Sequence, residues 1–237
     1  MKLIPKNIGT FSPWEMSQGN RRKNYENRRV RTIPLSLQHD VHDELDMMCR
    51  KMKSQLNKLS IRNFQKLLPS FITMDMNQDN AKPIIQILFE KALEETCYIP
   101  MYADLCKHLS ETFSFFQKMI ICFCQNSFET EENKRKMIGN IQFISELYRV
   151  NLISSDILMF CLSALLEEKN EKNIETACVL MLRSGFELYK THPDQIKMFM
   201  EKLEAYRETC SVRICFKILD VTETRDNGWV SLKTSGK

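Results

Sequence analysis

Glycine and proline are scarce in this chain, at six and seven residues of 237. A fold of short strands joined by tight turns needs more of both, so the scarcity favours long helices. None of the nine cysteines forms a C-x-x-C pair, and Cys122 and Cys124, the closest two, point in different directions on a helix. That spacing argues against a zinc site and a dithiol redox centre, and reads as free thiols in a reducing compartment. Neither G-x-x-x-x-G-K-[ST] nor G-x-G-x-x-G occurs, so the phosphate-cradling loops of nucleotide enzymes are missing. The greasiest tract, 157–166, is far shorter than the roughly 20 apolar residues that span a bilayer. The first residues hold no apolar run of the secretory type. The expectation is an intracellular, cytoplasmic protein with no membrane partner.

What is present is an ordinary globular profile, with 43% apolar and 27% charged residues. Fourteen Met and fourteen Phe suit the irregular packing of helix on helix. Charge is unevenly placed. Residues 1–31 hold eight basic side chains against Glu15 and Glu26, a net +6 that leaves −2 for the rest of a chain of net +4. The basic set is Lys2, Lys6, Arg21, Arg22, Lys23, Arg28, Arg29 and Arg31. Such an arm suits a polyanion or an acidic protein face, or is simply a solvated tail. Within it Phe11 and Trp14 are aromatics with no local core to join, fit to dock on a partner or on the chain's own body.

The domain reading is a flexible basic arm over 1–38, a helical body over 39–230 and a polar tail over 231–237. Helical periodicity predicts ten helices, at about 40–58, 61–71, 82–96, 99–109, 112–128, 133–150, 154–167, 172–190, 193–207 and 210–225. Ser60 and Ser154 read as N-caps, and Pro83, Pro100 and Pro193 fall near first turns. Ten helices with short connections imply an all-α fold, an α-solenoid of about five antiparallel pairs of HEAT type. The last tract carries apolar residues at 212, 214, 216, 218, 219 and 221, expected to form one buried side that closes the stack before Asn227-Gly228-Trp229-Val230.

Four blocks say more than periodicity can. Leu56-Asn57-Lys58-Leu59-Ser60 with Phe64 is the first, and Leu88-Phe89-Glu90-Lys91-Ala92-Leu93-Glu94-Glu95, running on to Met101-Tyr102-Ala103-Asp104-Leu105-Cys106, is the second. Gly139-Asn140-Ile141-Gln142-Phe143-Ile144-Ser145-Glu146-Leu147 is the third, and Arg213-Ile214 with Phe216, Asp220, Arg225 and Trp229 the fourth. In this order they resemble the middle domain of eukaryotic translation initiation factor 4 gamma, across about residues 45–230. The resemblance implies a HEAT-repeat crescent that clasps the DEAD-box helicase initiation factor 4A and stimulates its unwinding. It also implies RNA binding and, in the family's animal members, binding of initiation factor 3. Matched by position, Trp14, Leu56, Leu59, Phe64 and Phe143 fall where the family contacts or needs the helicase. Arg21, Arg22, Lys23, Arg28, Arg29 and Arg31 are the RNA candidates. Leu56, Leu59 and Phe64 also have the spacing of a buried helix face, and Arg213, Asp220 and Arg225 that of ion pairs within the domain.

The chain departs from the family pattern in three places. Glu129 to Lys136 is a short connection where relatives carry a long charged insertion, and Cys215 replaces a basic residue in the last motif. No Y-x-x-x-x-L-Φ motif for the cap-binding protein is present, because Val30 and Arg31 follow Tyr25 where Leu and an apolar residue belong. The expectation is a reduced scaffold without a cap tether. His39-Asp40-Val41-His42-Asp43 could hold a metal only weakly without a third strong ligand, and a solvated first turn explains it better. No nucleophile–base pairing is legible, so no enzyme and no cofactor are expected. Two rivals stay open: an adaptor of splicing or RNA decay from the same superfamily, binding another DEAD-box protein, and an RNA-binding regulator whose body only carries the arm.

Overall fold

The computed structural model describes residues 35–168 and 170–229. Among these there are ten α-helices: α1 Leu35–Lys58, α2 Phe64–Ile72, α3 Ala81–Glu94, α4 Ile99–Thr112, α5 Phe116–Thr130, α6 Lys134–Arg149, α7 Ser155–Glu167, α8 Glu171–Thr191, α9 Pro193–Tyr206 and α10 Val212–Asp226. A 3₁₀ turn, Thr96–Tyr98, leads into α4. The helices stack as five successive pairs in two layers. One layer runs without a break as α2, α4, α6, α8 and α10, each packed on the next. In the other, α1, α3 and α5 pack in order and α7 packs on α9, while α6 bridges α5 and α7. The fold is the all-α solenoid expected from the periodicity.

The sequence pattern explains each element. In α3 the buried residues are Ala81, Ile84, Ile85, Leu88, Phe89, Ala92 and Leu93, the i, i+3, i+4, i+7 stripe that one helix face presents. Two of the described helices, α6 and α8, start at side-chain caps. The Asn133 carboxamide oxygen accepts from the backbone N–H groups of Arg135 and Lys136, and Asn170 accepts from Asn173. Pro100 and Pro193 occupy first-turn positions, where a missing N–H costs nothing.

Four expectations are corrected. The first helix begins at Leu35, so residues 35–38, assigned to the arm, belong to α1. Ser60 does not cap α2; it lies in the preceding turn and Asn63 takes the cap position. Ser154 holds the N-cap of α7 but makes no side-chain cap bond. In the closing helix only Ile214, Ile218 and Val221 are fully buried, whereas Val212 is 73% and Phe216 62% exposed. At 100° per residue, 212 and 216 lie on the face opposite 214, 218 and 221, so alternation cannot give one buried side.

The third sequence block is the packing centre. A Cβ on Gly139 would stand 3.1 Å from the Leu93 carbonyl oxygen, because α6 crosses α3 backbone against backbone. Next to it Asn140 is buried, and its Nδ2 donates 2.9 Å to the Cys124 carbonyl of α5. One turn on, the fully buried Phe143 meets Phe89 at 6.1 Å between ring centres, and Phe89 stacks on Phe123 at 5.7 Å.

Phe143→Ala is expected to cost about 3–5 kcal/mol in chemical denaturation. Gly139→Ala is expected to destabilise too, although in an open helix the change would stabilise by about 1 kcal/mol. A stabilised Gly139→Ala variant would show that α3 and α6 do not make this close approach.

Candidate partner-binding face

The turn between α1 and α2 is held by one side chain. Asn63 Oδ1 accepts from Ser60 N–H at 2.7 Å, and its Nδ2 donates to the Lys58 carbonyl at 2.7 Å. The tightened turn pushes Ile61 outward, 77% exposed, with Arg62 beside it. Beneath it Leu56 and Leu59 are buried. Phe64 is half-buried, its ring 6.0 Å from that of His108. Asn57 Oδ1 accepts from Lys91 Nζ at 2.8 Å, and Lys91 also pairs with Glu95 at 2.7 Å. Glu95 in turn accepts from the Tyr102 hydroxyl at 2.6 Å. Burial pushes the Glu95 carboxyl upward, but the Lys91 and Tyr102 hydrogen bonds prevail and hold it below the usual range.

The matched residues therefore separate into two groups. Leu56, Leu59 and Phe143 are 8% exposed or less, and in this conformation they are packing residues that no partner can touch directly. They shape the surface above them rather than form it. Phe64 alone of the four described positions keeps accessible surface. Trp14, Arg21, Arg22, Lys23, Arg28, Arg29 and Arg31 lie outside the described residues, as do the side chains of His39, Asp40 and His42. Ile61 escaped sequence reasoning, which counted it into a helix starting at 61; the signal was an apolar residue between Ser60 and Arg62, in a turn rather than a stripe.

A second face runs along α8 and α10. Leu182, Phe186 and Tyr189 recur at i, i+4 and i+7 on the outside of α8, each 39–46% exposed. Lys190 Nζ lies 3.8 Å over the Phe186 ring, and Tyr189 meets Trp229 at 6.3 Å between ring centres. Trp229 adopts φ +66° and folds back on Gly185, where any Cβ would run into its ring. The closing Trp is thus a local lid on α8, held by its N–H to the Thr224 carbonyl at 2.6 Å.

Charges tie neighbouring helices of the unbroken layer together. Arg149 of α6 pairs with Asp104 of α4 at 2.9 Å and with Glu146 at 2.5 Å, and Glu146 also receives Arg183 of α8 at 3.1 Å. At the other edge Glu175 of α8 is buried between Lys134 of α6 and Arg213 of α10, the latter at 2.7 Å. Burial pushes the Glu175 carboxyl upward, but its hydrogen bonds to Lys134 and Arg213 outweigh that and lower it. Arg225 pairs with Glu204 of α9 at 2.9 Å. The reading of Arg213 and Arg225 as internal ion pairs holds. No group of three His, Cys, Asp or Glu able to hold a metal occurs among the described residues, and none of their helices is long and apolar enough to cross a membrane.

The sequence that builds this fold has relatives among known proteins. The family model described as the MIF4G domain matches residues 49–228. Eukaryotic translation initiation factor 4G of Arabidopsis thaliana is 29% identical over 235 residues, covering 80% of this chain and 14% of the relative. Eukaryotic translation initiation factor 4 gamma 3 of Homo sapiens is 29% identical over 234 residues, 77% of this chain and 15% of the relative. Eukaryotic translation initiation factor 4 gamma 2 of Mus musculus is 29% identical over 240 residues, 79% of this chain and 26% of the relative. The chain thus spans only a minor part of the length of the curated relatives it matches.

The Glu175 cluster carries a pH signature. A carboxylate lowered from 4.5 on folding contributes stability that is fully present above that value and is lost as pH falls through its folded value. Glu175→Gln is expected to lower stability at pH 7 by about 1–2 kcal/mol, discounted because both cations are partly solvated. The gap between the two proteins in thermal unfolding is expected to shrink as pH falls below 4.5 and through the lowered folded value. A gap unchanged between pH 7 and pH 3 would contradict the assignment.

Proposed function

Because the chain belongs to the MIF4G domain family, we propose that it is a non-enzymatic scaffold of translation initiation that holds the DEAD-box helicase initiation factor 4A. In this reading it acts in the cytoplasm, binds RNA through Arg21, Arg22, Lys23, Arg28, Arg29 and Arg31, and has initiation factor 3 as a further partner. What carries the reading is the α1–α2 turn. The L-N-K-L-S block that resembles the family's helicase-binding region runs into a turn held by Asn63 hydrogen bonds, and in that turn Ile61 is apolar and 77% exposed. An aliphatic side chain so presented is an anchor for a protein pocket rather than for phosphate. Phe64 and Arg62 widen the contact, and Trp14 adds a second anchor from the arm.

The mechanism is population shift. A helicase of two lobes spends part of its time open, and a rigid surface that binds the productive arrangement better raises that arrangement's share by its differential affinity. Rigidity is therefore the property required of the scaffold, and the unbroken helix layer supports it.

The RNA-dependent ATPase rate of initiation factor 4A is expected to rise when this chain is added. Ile61→Asp is expected to weaken the helicase by about tenfold, equivalent to about 1.4 kcal/mol, without changing the circular dichroism spectrum. No binding by the unmutated chain would overturn the scaffold reading in favour of the RNA-binding regulator. Binding to another DEAD-box protein instead would move the chain to the splicing or decay branch. A salt dependence of RNA binding near −0.7 per phosphate on logarithmic axes would separately test the arm's role.

A further inference from the structure

The N-terminal ends of α3 and α5 lie side by side. Phe89 of α3 stacks on Phe123 of α5, and Lys82 shares a cavity with Phe115 and Lys118, so the two helices run parallel. That cavity measures about 530 Å³, within the roughly 300–1,000 Å³ of ordinary ligand sites. Phe115, Met119 and Phe123, all half-buried, form its apolar wall, and Gln78, Lys82, Lys118 and Asn126 its polar rim. No carboxylate lines it, and among the described residues neither lysine enters an ion pair. Both lysines stand in the first turn of their helix, where the backbone itself is positive. Neither first turn holds an acidic residue, and neither N-cap, Asn80 or Phe115, makes a side-chain cap bond. Two ammonium groups and two helix ends therefore converge on one apolar cavity. Phe123 and Asn126 also line an adjoining stretch of groove, about 590 Å³, in which Ser127 forms part of the wall. Ser127 is 9% exposed, and its hydroxyl has no hydrogen-bond partner. A buried donor left unpaired on a groove wall marks a place where an occupant completes the bonding. This stretch carries Glu90, Glu94 and Glu131 with Lys136, while Lys53 and Lys91 stand on the other side of Glu90 and Glu94.

We propose that this groove docks a segment of a partner protein in which one or two carboxylates adjoin a bulky apolar side chain. The carboxylates sit between Lys82 and Lys118, the apolar side chain enters against Phe115, Met119 and Phe123, and the backbone continues to the Ser127 hydroxyl. From Lys118 to Ser127 is nine helical residues, about 14 Å, which about four extended residues span. Charge complementarity selects this occupant. A nucleic acid strand following the same groove would carry its phosphates past Glu90, Glu94 and Glu131, because only one end of the groove is positive. A purely apolar segment would leave both lysines and both helix ends unanswered. The site lies at the opposite end of α3 from the Ile61 corner, since Met48 touches Asn80 and Asn57 bonds Lys91 along parallel helices. Its occupancy is therefore separable from the helicase contact proposed above.

The chain carries its own reporter. Cys122 is exposed and lines the cavity, so its alkylation reads occupancy, with the exposed Cys97, beyond the C-terminal end of α3, as reference. The full chain is panned with a random library of peptides about twelve residues long. Selected peptides are then measured by fluorescence anisotropy and by N-ethylmaleimide footprinting with mass spectrometry. They are expected to set Asp or Glu beside Leu, Ile, Phe or Trp, and to slow alkylation of Cys122 by about fivefold or more while Cys97 reacts as before. The double variant Lys82→Glu, Lys118→Glu is expected to bind them at least about tenfold more weakly while staying folded by circular dichroism, because glutamate in a first turn suits the helix end. A selection that enriches nothing, or enriches peptides without acidic residues, would overturn the proposal. Acidic peptides that bind the double variant equally well, or that leave Cys122 unprotected, would overturn it too. Single-stranded oligouridylate of the same length that protects Cys122 and displaces the peptides would reassign the groove to RNA.

Discussion

The packing of the described helices depends on one close approach, that of α6 to α3 at Gly139. Two helices whose backbones come within van der Waals distance of a missing side chain have little freedom to slide. The neighbouring Asn140 reaches across to a carbonyl of α5, so three helices from two successive pairs are fixed by two adjacent residues. Phe143, Phe89 and Phe123 then fill the space one turn away. From this centre α6 hands the packing to α8, and α8 to α10. The solenoid gains a defined curvature only if such junctions are stiff, because each pair contacts little beyond its neighbours.

Stiffness connects the fold to the work proposed for it. A scaffold that selects one arrangement of a moving partner must itself resist deformation, or the difference in affinity is lost in its own bending. The matched residues Leu56, Leu59 and Phe143 belong to that resistance, since burial removes them from any surface. The surface they support is small and apolar at the α1–α2 corner, and aromatic along the outer side of α8. The polar ties across α4, α6, α8 and α10 use carboxylates placed between two cations, Glu146 between Arg149 and Arg183 and Glu175 between Lys134 and Arg213. Such bridges hold neighbouring helices in register more than they add net stability.

Much of this was legible in the sequence, because helix periodicity and side-chain caps are local. Each of the ten described helices overlaps one that the apolar spacing predicts, although α1 starts earlier, at Leu35, and α2 later, at Phe64, and the family is written in the ordered blocks. What was not legible depends on three-dimensional neighbours. Nothing local distinguishes Phe143, with no accessible surface, from Phe186 at 46% exposed; both stand in amphipathic helices, and only the position of α3 decides which is covered. Likewise Phe216 looks like core by alternation but faces outward by helical geometry, and Ser60 looks like a cap until Asn63 takes the position. The exposed Ile61 is a product of the turn and could not be separated from a helix face by spacing.

The central claim is that the signature residues shape the helicase-binding surface while Ile61 and its neighbours touch the partner. Hydrogen–deuterium exchange of the chain with and without initiation factor 4A tests it most directly. The account predicts new protection concentrated at residues 60–64, with α6 around Phe143 equally slow in both states. Protection that leaves this corner unchanged, or faster exchange around Phe143 on binding, would contradict it, since the first moves the contact elsewhere and the second opens the core that is meant to stay rigid.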